Sequence, residues 1–253
     1  MSSTFGSFGV ARLGIYAAQK GLDVTGNNIT NISTPGYTRQ RLDQVSLITS
    51  ASDRYYSPYK TRVGQGVLTT GVSQLRDPGL DIAYRNASAD VGAADAKLAG
   101  LEKLASILDE VGKGDGEQDD GVLLNQLNDL RDLINKAITS GLDSTQEGLI
   151  RASAKALCSL FNDAADKLAD MTETWETQLK DQVDTVNNIL TSLRDLNISI
   201  RDADIRGDAA LELRDQRNLL LDQLSQYMDI DVKYEMEDVG AGLMVEKMTV
   251  TLG

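Results

Sequence analysis

From Leu149 to Arg206 the chain contains neither glycine nor proline, and no other feature constrains its fold as much. In a helix interior glycine costs about 1 kcal/mol and proline about 3 kcal/mol, so a run free of both predicts one continuous helix. At about 1.5 Å per residue it would be on the order of 90 Å long. Its apolar positions are Leu157, Phe161, Ala164, Leu168, Met171, Trp175, Leu179, Val183 and Val186, then Ile189, Leu193, Leu196, Ile200 and Ala203. Steps of three and four place them on one side, a coiled-coil-like seam. The four-residue steps from Met171 to Val183 form a stutter that relaxes a left-handed supercoil. Trp175, within it, reads as a core filler. Cys158 lies among Ala154, Leu157 and Phe161 and reads as a buried structural thiol.

A seam of that length needs other helices against it, and the sequence provides them. Asp77-Pro78 opens a helix, with proline tolerated in the first turn and the acid suited to the positive helix end. There Leu80, Ala87, Ala94, Leu101 and Leu108 repeat every seven residues, with Tyr84, Val91, Leu98 and Ala105 as a companion row. Leu123, Leu127, Leu130, Ile134 and Ala137 give a shorter amphipathic helix closing at Gly141. Ser144 and Glu147 have capping-box spacing and mark the start of the long helix. Gly207-Asp208 breaks it, and ALELRDQRNLLLDQLSQYM forms one more.

Two regions change period. Leu42–Ile48 and Val63–Leu75 are rich in Val, Thr and Leu and are punctuated by Gly64, Gly66 and Gly71, which predicts short strands in a hairpin. Ile230, Val232, Tyr234 and Met236 alternate, as do Met248, Val250 and Leu252, so a β-region begins at the C-terminal end. Between the first two strands, Arg54–Arg62 carries tyrosines and basic residues that fit either a polar surface loop with aromatic packing or a contact surface. The expected fold is therefore mainly α: a long coiled-coil-like helical bundle with an N-terminal helix, a small β-hairpin region and the start of a β-domain. The expected divisions are an N-terminal helix and turn (1–36), an extended hairpin region (37–76), the bundle (77–228) and a β-region (229–253).

The N-terminal helix shows the same regularity. Phe8, Ile15, Leu22 and Ile29 recur every seven residues, with Ala11, Ala18, Thr25 and Ile32 beside them, before Pro35-Gly36 stops the helix. A narrow apolar stripe on a short isolated helix is marginal in water. It calls for a partner helix, in this chain or in a neighbouring copy.

Composition narrows the function classes. The formal charge of −13 over 253 residues argues against nucleic acid and against an anionic membrane surface. No run approaches the roughly 18 apolar residues that read as a membrane span, so membrane insertion is not expected. The single cysteine excludes an internal disulfide framework, and the absence of histidine removes the commonest general base and metal ligand. Asp119-Asp120 and the Asp202/Asp204 pair are carboxylate pairs, but in charged patterns where solvated faces are the default. The acidic loop Gly112–Gly121 lacks EF-hand and phosphate-loop spacing. No catalytic, metal or cofactor site is expected.

Two segments resemble known families. Asn27–Gln40, NNITNISTPGYTRQ, resembles the signature of the flagellar axial proteins of rod, hook and hook–filament junction, with Asn27, Asn28, Ile29, Asn31, Thr34, Pro35, Gly36, Tyr37 and Arg39 matching and Thr30 departing where alanine is usual. Leu213–Val232 resembles a segment of the FlgK-type hook-associated protein 1 family. Asp215, Gln216, Arg217, Leu220, Leu221, Leu224 and Ser225 match it, and Asn218 stands where aspartate is usual. Leu196-Asn197 with Ile200 is similar to a further heptad of that family.

The second resemblance, with the long helical middle, favours the junction family over rod and hook proteins. It implies a structural, non-enzymatic adaptor that self-assembles between hook and filament. The implied partners are copies of itself, hook protein, the next junction protein and the flagellar export apparatus. It further implies export through the flagellar channel and no cofactor. The stripe of Phe8, Ile15, Leu22, Ile29 and Ile32 would be the assembly seam, with Pro35, Gly36 and Tyr37 fixing the turn that leaves it. It also implies that these residues cover only the first part of the family's length, the return helix that would pair with the N-terminal one lying outside them. Two alternatives remain: another axial protein, or a soluble coiled-coil partner-binding protein.

Overall fold

The computed structural model describes residues 4–47, 64–108, 121–240 and 242–253. The tyrosine-bearing segment Arg54–Arg62, the acidic loop before Gly121 and the Asp119-Asp120 pair lie outside the described residues. Among those described, the elements in order are helix α1 (Thr4–Thr30), strands β1 (Gln40–Ser46) and β2 (Val67–Gln74), and helices α2 (Pro78–Leu108), α3 (Val122–Ser140), α4 (Ser144–Ile205) and α5 (Leu211–Leu224). Strands β3 (Ile230–Asp238) and β4 (Met244–Leu252) complete them. The fold is mainly helical with two small antiparallel strand pairs, as the periodicities predict, and α4 is one helix of 62 residues. The chain divides into two compact units, one from residues 1–88 and 189–253, the other from 89–188.

In the first unit, β1 and β2 pair antiparallel from Gln40↔Gln74 to Ser46↔Val67, with a bulge at Asp43/Gln44. Strands β3 and β4 pair from Ile230↔Leu252 to Asp238↔Met244. The core is the C-terminal part of the long seam: Ile200, Ala203 and Ala210 cluster with Leu213 against them, and Ile189, Leu193, Leu221, Leu224, Ile230, Val232 and Val245 are also buried. The reversal from α4 into α5 places Gly207 (φ +78°) and Ala210 (φ +46°) in the left-handed region. Alanine there costs on the order of 1–2 kcal/mol, offset by burial of its methyl group in that cluster.

The second unit holds parts of α2 and α4 together with α3, where Gln126 Nε2 donates to Ser153 Oγ at 3.0 Å. Several expectations are corrected here. The cap of α4 is Asp143, not Ser144: its Oδ1 accepts the backbone N–H of Thr145 (2.7 Å) and Gln146 (2.8 Å). Glu147, freed from a capping box, pairs with Arg151 at 2.6 Å. Cys158 is exposed, since one residue turns a helix by about 100° and carries it off the stripe marked by Leu157. Trp175 is only partly covered, with its ring edge lying over Gly100.

The heptad row of α2 also differs from expectation, because Leu80, Tyr84, Val91, Leu98 and Leu101 are exposed. Its start is as read: Asp77 Oδ1 accepts the Gly79 N–H at 2.9 Å. The side of α2 that turns inward in the first unit instead carries Arg85, which is buried.

Candidate functional site

The motif after α1 folds into a closed turn. The helix ends at Thr30, ahead of Pro35, and the chain continues through successive tight turns in which Thr34 N–H donates to Asn31 O (2.9 Å) and Tyr37 N–H to Thr34 O (3.2 Å). The asparagines supply the closure. Asn28 Oδ1 accepts both the Tyr37 hydroxyl (2.9 Å) and the Gln40 N–H (2.8 Å), while its Nδ2 donates to Gln40 O at 2.9 Å. One amide side chain thus ties the helix end to the first residue of β1. Asn31 Nδ2 donates back to Asn27 Oδ1 at 2.8 Å, and Asn27 Nδ2 reaches Gln40 Oε1 at 3.3 Å. Thr34, Pro35 and the Arg39 side chain are exposed.

This turn is seated on α5. The Thr38 N–H donates to Asp215 Oδ2 at 3.1 Å, and Gln40 Nε2 to Glu212 Oε1 at 3.3 Å. Gly36 (φ +78°) lies so close that a Cβ there would meet Leu219 Cβ at 3.0 Å. Glycine is needed twice over, for the left-handed backbone and for the approach. From the hairpin, Gln74 Nε2 donates to Leu211 O at 2.9 Å, and Arg76 reaches Thr38 Oγ1 (3.3 Å) and Asp81 (2.6 Å). The two segments that carry the family resemblance, far apart in sequence, therefore form one site.

The remaining faces of α5 hold ion pairs. Arg85 donates to Asp222 at 2.8 Å, with Asn218 Oδ1 at 3.4 Å. Arg214 forks both oxygens of Asp204 (2.9 and 3.0 Å). Glu246 on β4 accepts from Arg217 through Oε1 and from Arg214 through Oε2, and the Arg217 guanidinium lies 5.1 Å from the Tyr234 ring centroid. Asp204, one of the paired carboxylates, is thus occupied structurally.

The electrostatics follow from these contacts. Burial raises the Asp215 carboxyl above the ordinary range, and the Thr38 bonds and Arg76 only partly offset it. Burial also pushes Glu246 upward, but Arg217 and Arg214 together outweigh it and hold that carboxyl below its ordinary value. Tyr37 is raised by burial, then by Asp215 and Glu212.

Of the junction-segment residues, Asp215, Arg217, Leu221 and Leu224 are buried, Leu220 is half-buried and Gln216 is exposed. The α1 stripe does not join this site. Phe8, Ile15, Leu22 and Ile29 are 71%, 61%, 72% and 67% exposed, and Ile32, 83% exposed, lies beyond the helix end. Sequence reasoning missed Gln74, Arg76, Arg85, Asp222 and Glu246. Glu246 alone left a trace, sharing the strand face of Met248 and Val250 in an otherwise apolar row. Among the described residues no group of His, Cys, Asp or Glu could hold a metal ion, and no helix is long and apolar enough to cross a membrane.

Residues 10–38 match the family model described as flagella basal body rod protein. Residues 116–252, more than half the chain, match the model described as flagellar hook-associated protein FlgK helical domain. The chain belongs to the FlgK family of flagellar hook-associated proteins. It is 31% identical over 240 residues to flagellar hook-associated protein 1 of Bacillus subtilis, covering 92% of this chain and 45% of the relative. The proteins of the same name from Escherichia coli and Salmonella typhimurium are 22% and 24% identical over 89% of this chain, and 39% and 38% of their own lengths. The chain thus spans less than half the length of these relatives. No solved structure gives a significant match.

Proposed function

We propose that this chain serves as a structural adaptor at the joint between hook and filament of the bacterial flagellum, built in by helical self-assembly. Its partners are further copies, hook protein and the next junction protein, reached after export through the flagellar channel. The observation that carries the reading is the stripe of Phe8, Ile15, Leu22 and Ile29, exposed along one side of α1 while the polar turn behind it is locked. A helix outside the described residues would cover it. Fully burying a leucine gains roughly 1.5–3 kcal/mol, so covering Leu22, 72% exposed, gains about 1–2 kcal/mol in every subunit. Leu22→Asp removes that gain and buries a carboxylate. In the full-length gene it is expected to abolish filaments while export persists. Normal filaments on Leu22→Asp cells would refute the seam.

A further inference from the structure

Among the described residues the C-terminal hairpin is a sheet of two strands, so β3 and β4 each keep one edge free of the other. In an antiparallel pair, opposed residues alternate between exchanging both backbone bonds and turning those groups outward. Val239 N–H donates to Leu243 O and Gly253 N–H to Asp229 O, which fixes the alternation along the register from Ile230↔Leu252 to Asp238↔Met244. The backbone groups of Glu246, Met248 and Val250 therefore point away from β3. Glu246 N–H reaches Asp204 Oδ2 at 3.5 Å, so this outer edge of β4 faces α4. Further along the edge, the outward groups of Met248 and Val250 have no hydrogen-bond partner among the described residues.

Between that edge and α4 lies a groove of about 450 Å³, with Leu190, Leu193 and Ile198 on the α4 wall and Met248 and Val250 on the β4 side. Leu190 and Ile198 are 42% and 54% exposed. The helix rises about 12 Å between them, the reach of about four residues of strand. An extended segment laid there would pair its backbone with Met248 and Val250 and set alternate side chains on Leu190 and Ile198, the geometry of strand addition. The flanks are basic. Arg194, Arg201 and Lys247 stand against Glu237, because the Glu246 carboxylate is taken by Arg214 and Arg217. The Arg201–Glu237 pair spans 4.0 Å, and Arg194 holds Asp195, which lies outside the lining. In a chain of formal charge −13, such a surface selects an acidic occupant.

We propose that this groove is a docking site for an extended segment of another protein, apolar at alternate positions and acidic between them, which adds to β4 as a third strand. One strand is what the space admits, since α4 closes its far side. A second copy of the chain is a poor source. Strands β1 to β4 are all paired in hairpins already, and a paired strand would carry its partner into α4. The site is separate from the α1 stripe and does not rest on it.

The probe is a fluorescent, end-blocked heptapeptide alternating glutamate and valine, titrated with the 253-residue chain. Its anisotropy should show saturable binding, about tenfold tighter than that of the lysine–valine counterpart. Amide exchange followed by NMR should show Met248 and Val250 slowed by the glutamate peptide. Ile198→Glu, at an exposed helix position, should keep its helix content by far-UV circular dichroism. It should weaken binding about tenfold, by removing an apolar contact and adding a like charge. Val250→Pro should weaken it too, since it removes an outward N–H without breaking a bond to β3. No binding, equal affinity for the two peptides, or full affinity in either variant would overturn the proposal. So would Met248 and Val250 amides slowed before any peptide is added. Slowing that grows with chain concentration gives the groove to a second copy, and slowing in the monomeric full-length protein gives it to another part of the same molecule.

Discussion

Replacing Glu246 by alanine should unfold the first unit more readily than any exposed substitution, and the structure indicates by how much. Glu246 accepts from two arginines. Arg214 keeps its fork on Asp204 when the carboxylate is removed. Arg217 does not fare as well: its side chain is 4% exposed, its Nε has no hydrogen-bond partner, and what remains is Asn197 at 3.3 Å and the Tyr234 ring. Breaking a buried pair by removing one partner costs about 3–5 kcal/mol. Water reaching the partly exposed Glu246 position sets the expectation at the lower end, about 3 kcal/mol. That is a large share of the roughly 5–15 kcal/mol that a domain has in total.

The sign with pH follows from linkage. The Glu246 carboxyl lies below its ordinary value in the folded chain, so its contribution is complete above the unfolded carboxylate value and is lost as pH falls through the folded one. Urea unfolding followed by far-UV circular dichroism should show the full gap between parent and Glu246→Ala at pH 7. The gap should close progressively as the pH drops below the ordinary glutamate range. Glu246→Leu combined with Arg217→Met should recover most of the loss, since an apolar pair leaves no stranded charge. A gap under about 1 kcal/mol at pH 7, or one that acid leaves unchanged, would refute the reasoning.

Two further outcomes follow from burial. Leu224 is fully buried, so Leu224→Ala should cost about 2–5 kcal/mol through lost transfer energy and a residual cavity, read as a lower urea midpoint with unchanged slope. Cys158 is exposed on α4, so the native chain should react with a thiol reagent about as fast as a cysteine in an unstructured peptide. A rate that rises by orders of magnitude only on adding urea would place the thiol inside.

Helix boundaries were legible because they rest on local chemistry. Asp77-Pro78 starts α2, Gly207 ends α4 and alternation finds β3 and β4. The failures are those where two local solutions compete or where a pattern has two physical meanings. Asp143 and Ser144 are adjacent cap residues, and the carboxylate captures two N–H groups at 2.7 and 2.8 Å. A heptad row reports that side chains share a face, not that anything lies against it, which is why α2 could carry a regular row that ends up exposed.

The docking of the motif on α5 was unreadable for a different reason. Thr38 and Asp215 are 177 residues apart, and each looks like an ordinary surface polar residue beside its own neighbours. Yet the composition of the motif follows from that contact. A turn held by burial would tolerate many apolar sequences of similar volume. A turn held by hydrogen bonds requires particular side chains, because a buried polar group left unmatched costs about 1–3 kcal/mol. Asn28 makes three bonds, one of them from the Tyr37 hydroxyl, and Gly36 sits where a side chain would collide, so Asn28, Gly36 and Tyr37, among the residues that carry the resemblance, are ones this geometry demands. The apolar stripe ahead of them has no such specificity within the described residues. The chain therefore keeps its most specific chemistry in the turn and its seat on α5, while the apolar stripe of α1 stays exposed among the described residues.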